Sequence, residues 1–166
     1  MKNYNLTLVG FALVLLISSC KKEDVQQNAS KTSLTDTKGS WNSLTNWSTE
    51  KADDSTTIHF SQVADSSISA TVANSGLVLV FKKNGNTIQS LPFEDKSTGT
   101  FWYYQISKGA LRIDASDNGS SESNFNGQSF SYVIFTPEQI SALDVKGKTK
   151  FDLMQLSYNE VLELSK

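Results

Sequence analysis

One cysteine, one histidine, two prolines and two methionines are all that this 166-residue chain holds of those four residue types. A single cysteine excludes a disulfide within the chain and a thiolate metal cluster. One histidine cannot fill a zinc site without help, and a Ser-His-acid triad needs a nucleophile motif that no serine here carries. Basic excess is missing as well: 15 Lys and Arg face 17 Asp and Glu, which leaves no electrostatic case for nucleic acid. Long apolar runs are confined to one place, Leu6–Ile17, whose 12 residues fall short of the ~20 that a membrane-spanning helix needs. There is no internal repeat, and nothing in the pattern calls for a cofactor. Scarce proline, abundant Ser, Thr and Asn, and short apolar runs favour strands over helices.

The sole cysteine sits where that apolar run stops. Lys2, then LTLVGFALVLLI, then Ser18 and Ser19 form the three-part layout of a secretory signal, so residues 1–19 read as an address and not as a fold element. The order Ile17-Ser18-Ser19-Cys20 resembles the lipobox of bacterial lipoproteins. That resemblance implies cleavage before Cys20, diacylation of its sulfur and acylation of the new amino terminus; an uncleaved signal with a free cysteine is the competing reading. Each buried methylene contributes roughly 0.8 kcal/mol, so two or more chains hold firmly where one holds reversibly. Lys21, Lys22, Glu23 and Asp24 follow at once. A lysine and two acids behind a lipidated cysteine, here Lys22, Glu23 and Asp24, resemble the export signal of surface lipoproteins in Bacteroidota, although such charges also make a plain solvated tether. The expected location is the outer membrane with outward display; its periplasmic face is the alternative.

Residues 20–39 lack periodic apolar positions and read as a flexible spacer, with a reach of roughly 5 to 6 Å times the square root of its length. The folded domain is expected over 40–166. STTIHFS, 55–61, alternates and places Ile58 and Phe60 on one half-buried face, with His59 outward. Ser67 is the expected N-cap of a short helix that stops at Gly76. LVLVFKK, 77–83, is a central strand, and Asn84-Gly85 is a strong hairpin signal with TIQSL as the partner. GTFWYYQIS, 99–107, and ALRIDAS, 110–116, are joined by Lys108-Gly109. QSFSYVIFT, 128–136, precedes a helix capped by Thr136, Pro137 and Gln139. TKFDLMQL reads as a last strand, and Ser157-Tyr158-Asn159-Glu160 as a capping box before a terminal helix. About seven short strands with frequent turns predict an all-β, antiparallel β-sandwich with two or three short helices.

The run ISATVANSGLVLVFKKNGNTIQSLPF, then ALRID, then FSYVIF, then the capping Ser-Tyr-Asn-Glu, is similar to a group of small Bacteroidota lipoproteins patterned as short helix, glycine, "VLVY" strand, "LP" and "YVI" strand. Phe81 stands where the group tends to have tyrosine, and Ser131 where it often has arginine. The resemblance implies fold and location and supplies no activity or site.

Chemistry is sparse. His59 reads as a surface histidine. Asp114, Asp117 and Asn118 are oxygen-ligand types at close spacing, but the string lacks the glycine and distal glutamate of a calcium loop and reads as a turn. No pair among the acids stands out for glycoside hydrolysis. Asp54-Ser55-Thr56 resembles the O-glycosylation acceptor of secreted Bacteroidota proteins. The aromatic strand is the better lead. Trp102 and Tyr104 share one face, Phe101 and Tyr103 the other, and exposed rings would offer platforms for sugar rings or a protein partner; Trp102 and Tyr104 are the expected platform. The simpler reading buries one set in the core and covers the other. The expected function is therefore a lipid-anchored, non-enzymatic interaction or structural module at the outer membrane, with glycan binding through Trp102 and Tyr104 as the alternative.

Overall fold

A computed structural model describes residues 40–117 and 125–164. The predicted signal 1–19, Cys20 with Lys22, Glu23 and Asp24, the rest of the 20–39 spacer, and Asn118 of the acidic string lie outside the described residues.

Nine strands and four short helices follow one another among those residues: β1 (Asn42–Leu44), β2 (Ser48–Lys51), β3 (Thr57–Ala64), α1 (Ala70–Ser75), β4 (Leu77–Asn84), β5 (Thr87–Ser90), β6 (Phe93–Asp95), β7 (Thr100–Ser107), β8 (Ala110–Asp117), β9 (Gln128–Phe135), α2 (Pro137–Asp144), α3 (Lys150–Met154) and α4 (Tyr158–Leu164). They form two antiparallel sheets, ordered β1-β9-β4-β5 and β2-β3-β8-β7-β6. The predicted all-β sandwich is the observed fold, and it carries more elements than expected.

The four-stranded sheet is the middle layer. Val78 and Val80 of β4 with Phe130, Tyr132 and Ile134 of β9 face the other sheet, where they meet Trp102, Leu111, Ile113 and Ala115. Leu77, Leu79, Phe81, Val133 and Phe135 face the opposite way and pack under Leu153, Tyr158 and Val161 of the helices. Burial on both faces is why β4 and β9 read as continuous apolar runs; a strand with one wet face would alternate. Among the described residues the five-stranded sheet is covered on one face only, and β8 alternates accordingly.

Turns follow their residues. Asn84 pairs with Thr87, so Gly85 and Asn86 make the β4–β5 turn, and Gly85 takes φ +58° as the first turn residue of such a hairpin requires. Gly76 is required for a different reason: a Cβ there would lie 2.8 Å from the carbonyl oxygens of Phe135 and Val72.

Four expectations change. TKFDLMQL is a helix, because Thr149 accepts from the Asp152 N–H while the Asp152 carboxylate accepts from the Thr149 N–H, a reciprocal cap that outweighs strand-like alternation. The cap of α1 is Ser69, bonded to the Val72 N–H, and Ser67 instead donates to Asp65 in the preceding turn. Ser61 pairs with Ile113 and Val63 with Leu111 on the core face, so Ile58 and Phe60 point outward and His59 inward; His59 stacks on Phe125 at 4.3 Å. Finally, β1, β2 and β6 are strands of three or four residues that no hydrophobic run announces.

Candidate interaction face

The uncovered face of the five-stranded sheet is built in rows. Ile58, Ser116 and Phe101 lie side by side across β3, β8 and β7; Phe60, Asp114 and Tyr103 form the next row; Gln62, Arg112 and Gln105 the third. Glu50 on β2 extends the first row beyond Ile58. The face therefore carries two apolar ridges, Ile58–Phe60 and Phe101–Tyr103, on either side of a polar strip along β8. An antiparallel sheet with a solvated face ordinarily makes that face polar, so rings placed on it need an explanation. Phe101 is 45% exposed. Its ring is stacked with that of Tyr103, with centroids 5.8 Å apart and 26° between planes, so the two make one apolar ridge.

The polar strip is a closed network at its centre. Arg112 donates from Nε to the Asp114 carboxylate at 2.6 Å and from Nη2 to Glu50. Gln105 donates from Nε2 to the other Asp114 oxygen at 3.2 Å. The guanidinium also lies 3.9 Å from the centre of the Phe60 ring, a stacked arrangement that fixes its plane. Asp114 is 0% exposed although it points to the solvent side, because Arg112 and its neighbours roof it over. Burial pushes its carboxyl above the ordinary range, opposed by the hydrogen bond and charge of Arg112. The network holds Arg112 and Gln105 rigidly at one end of the two ridges. A surface of this kind can take an apolar plane on its rings and hydrogen-bonding groups at its rim.

The expected platform lies on the other side of the same strand. Trp102 is 4% exposed, packed edge-on against Trp47 at 6.0 Å and against Phe125 at 5.6 Å inside the sandwich. Tyr104 donates its hydroxyl to the Val78 carbonyl at 2.6 Å, on the part of β4 beyond its pairing with β5. These two rings are therefore core and edge-sealing groups and not a free surface. Residue pairing decides it: Trp102 sits opposite Ala115 and Tyr104 opposite Ile113, both core residues of β8.

Lys82 is the other polar group that the apolar pattern of β4 hid. It is buried, with its amine 4.7 Å from the centre of the Trp102 ring, and burial holds its pKa below the ordinary value while Asp95 opposes that. The Trp102 indole N–H and the Ser131 hydroxyl are buried without a hydrogen-bond partner among the described residues. A cleft of about 460 Å³ lies between β5 and the α3–α4 turn, lined by Ile88, Ser90, Pro92, Leu156 and Tyr158. Its one carboxylate, Glu160, is already occupied by the Ser157 N–H and hydroxyl. Among the described residues no three His, Cys, Asp or Glu side chains come together as a metal site would require.

Comparison with known families, characterised proteins and solved structures finds no match to this chain.

Proposed function

We propose that this protein is a lipid-anchored binding module of the bacterial outer membrane, held by acyl chains on Cys20 and carried on the 20–39 spacer, which contacts its partner through the bare face of the five-stranded sheet. The observation that carries the binding half is the pair of apolar ridges flanking the Arg112–Asp114 strip on a face that water would otherwise make polar. The anchoring half rests on the Leu6–Ile17 run and Ile17-Ser18-Ser19-Cys20, and outward display on Lys22, Glu23 and Asp24. Among the described residues no helix is long and apolar enough to cross a membrane.

A glycan is the narrower reading of the ligand, favoured by one feature. The stacked Phe101 and Tyr103 rings form an apolar ridge for the C–H face of a sugar, and Gln105 on the same strand and Arg112 on the adjacent β8 stand at its end to meet hydroxyl groups. The test has two parts. Cys20→Ala is expected to abolish incorporation of labelled fatty acid and leave the precursor uncleaved; a mutant still labelled would contradict the anchor. Calorimetric titration with soluble oligosaccharides is expected to show binding that Phe101→Ala with Tyr103→Ala removes, and binding unchanged by that pair would dismiss this face as the site.

A further inference from the structure

Three of the four large apolar side chains that stand exposed among the described residues lie within ten residues of one another: Val145 at 88%, Phe151 at 68% and Met154 at 50%. Phe151 and Met154 are three apart on α3 and share a face, while Leu153 points the other way into the core. Between Val145 and Phe151 the chain runs Lys146-Gly147-Lys148-Thr149-Lys150. The segment thus interleaves cations with bare apolar groups, as a surface that lies on a lipid headgroup layer does.

Acids flank the segment as well: Asp144 precedes Val145, and Asp152 and Glu160 accept from the caps at Thr149 and Ser157, which hold both below the ordinary carboxylate range and so keep them charged, with Lys148 adding a smaller effect; over 144–154 the three lysines exceed Asp144 and Asp152 by one. None of the three lysines forms an ion pair with another described residue. Lys150 donates to the Gly76 carbonyl at 2.7 Å, which pins the start of α3 to the sheet.

The position of the patch relative to Trp41 supplies the occupant. Trp41, the second described residue, packs on Tyr158 of α4 at 5.0 Å, and Lys83 lies 5.7 Å over that Trp41 ring. The described residues therefore begin on the helix-covered side, with Trp41 packed on the same cluster that holds Leu153 of α3. We infer that the Val145–Met154 segment docks on an anionic lipid surface, so that the helical layer rests on the membrane and the bare sheet faces away from it. The inference rests on the lipid anchor proposed above for its membrane, and on Val145, Phe151, Met154 and the lysines for its orientation. Lys146 and Lys148 supply the attraction to an anionic surface, since the Lys150 amine is held by the Gly76 carbonyl.

Acylation of Cys20 leaves no other thiol in the chain, so Met154→Cys gives a single nitroxide attachment point in the acylated protein. In vesicles of phosphatidylcholine and phosphatidylglycerol, the label at 154 is expected to be several-fold more accessible to oxygen than to an aqueous nickel chelate, and a label at Gln105→Cys to show the reverse. Adding Lys146→Glu and Lys148→Glu is expected to return position 154 to water. A label at 154 that is as aqueous as that at 105 overturns the inference, as does one unaffected by the lysine reversals or already shielded without vesicles, the mark of a protein partner. A second nitroxide on Cys20 would report failure of the anchor separately; depth at 154 is then read with Cys20→Ala added, by the same criterion.

Discussion

The two broad surfaces of this sandwich differ in kind. The outer face of the four-stranded sheet is sealed by helices, with Leu153, Tyr158 and Val161 seated on Leu79, Phe81 and Phe135. Among the described residues the outer face of the five-stranded sheet has no helix on it, yet carries Ile58, Phe60, Phe101 and Tyr103. The difference teaches where to look for a partner. Apolar groups beneath helices are explained by the fold, whereas apolar groups on a bare sheet are left for something outside it. Strand β7 holds the same contrast within eight residues, with Trp102 and Tyr104 on its core side and Phe101 and Tyr103 on its solvent side.

The sharpest way to break this comparison is across β7 itself. Trp102→Ala removes a buried indole from the cluster of Trp47, Phe125 and Phe130 and is expected to cost about 3–5 kcal/mol in urea unfolding, as large aromatic deletions in cores do. Phe101→Ala, one residue away, is expected to cost about 1 kcal/mol or less because its ring is half exposed. Comparable losses at the two positions would erase the distinction between the faces.

The helical layer can be divided in the same manner. Leu153→Ala is expected to lose about 2–5 kcal/mol, since that side chain is fully buried. Phe151→Ala, two residues earlier on the same helix, is expected to stay within about 0.5 kcal/mol in solution. A large effect at Phe151 would mean that it serves the fold and is not spare surface.

A smaller effect probes the polar strip. Arg112→Met takes the charged partner from a buried carboxylate and is expected to cost about 1–3 kcal/mol at neutral pH. The sign of its pH dependence follows from Asp114. A carboxyl whose folded pKa is raised binds its proton more tightly in the native state, so it favours folding below the ordinary value of 3.8, and that contribution is lost as pH rises through the raised value. Without Arg112 the rise is larger. The deficit of Arg112→Met measured by urea unfolding is therefore expected to shrink on acidification, and a deficit that grew instead would deny that Asp114 is the group left unpaired.

Much of the fold was legible because its strongest signals are local. The Thr136-Pro137-Gln139 cap, the Ser157–Glu160 box and the apolar runs of β4 and β9 each specify an element by their own chemistry. Less legible were the short edge strands β1, β2 and β6, which contribute little to the core and whose pairing is set by their neighbours. TKFDLMQL misleads because alternation over a few residues suits either a strand or one turn of helix.

The interaction face was half legible. That β7 has aromatic rings on both sides is plain from GTFWYYQIS, but which side is core depends on register. That register was available: with Lys108-Gly109 as a two-residue turn, Ser107 pairs with Ala110, which brings Trp102 opposite Ala115 and Tyr103 opposite Asp114. The alternation of β8, apolar at 111 and 113 and charged at 112 and 114, then assigns the core side of β7. Glu50, Ile58 and Phe60 could not be joined to that face from sequence, because their place depends on β2 and β3 docking far along the chain.

Two faces with opposite destinations can be told apart in the native membrane by one experiment. Tyr103→Cys and Phe151→Cys each add a lone reactive thiol if Cys20 is acylated, and both can be treated in intact membranes with a water-soluble maleimide. Rapid labelling at 103 with protection at 151, lifted when the membrane is dissolved in detergent, is the expected result. Equal labelling at both positions, or protection at 103 with ready labelling at 151, would contradict a domain that rests on its helices and offers its bare sheet to a partner.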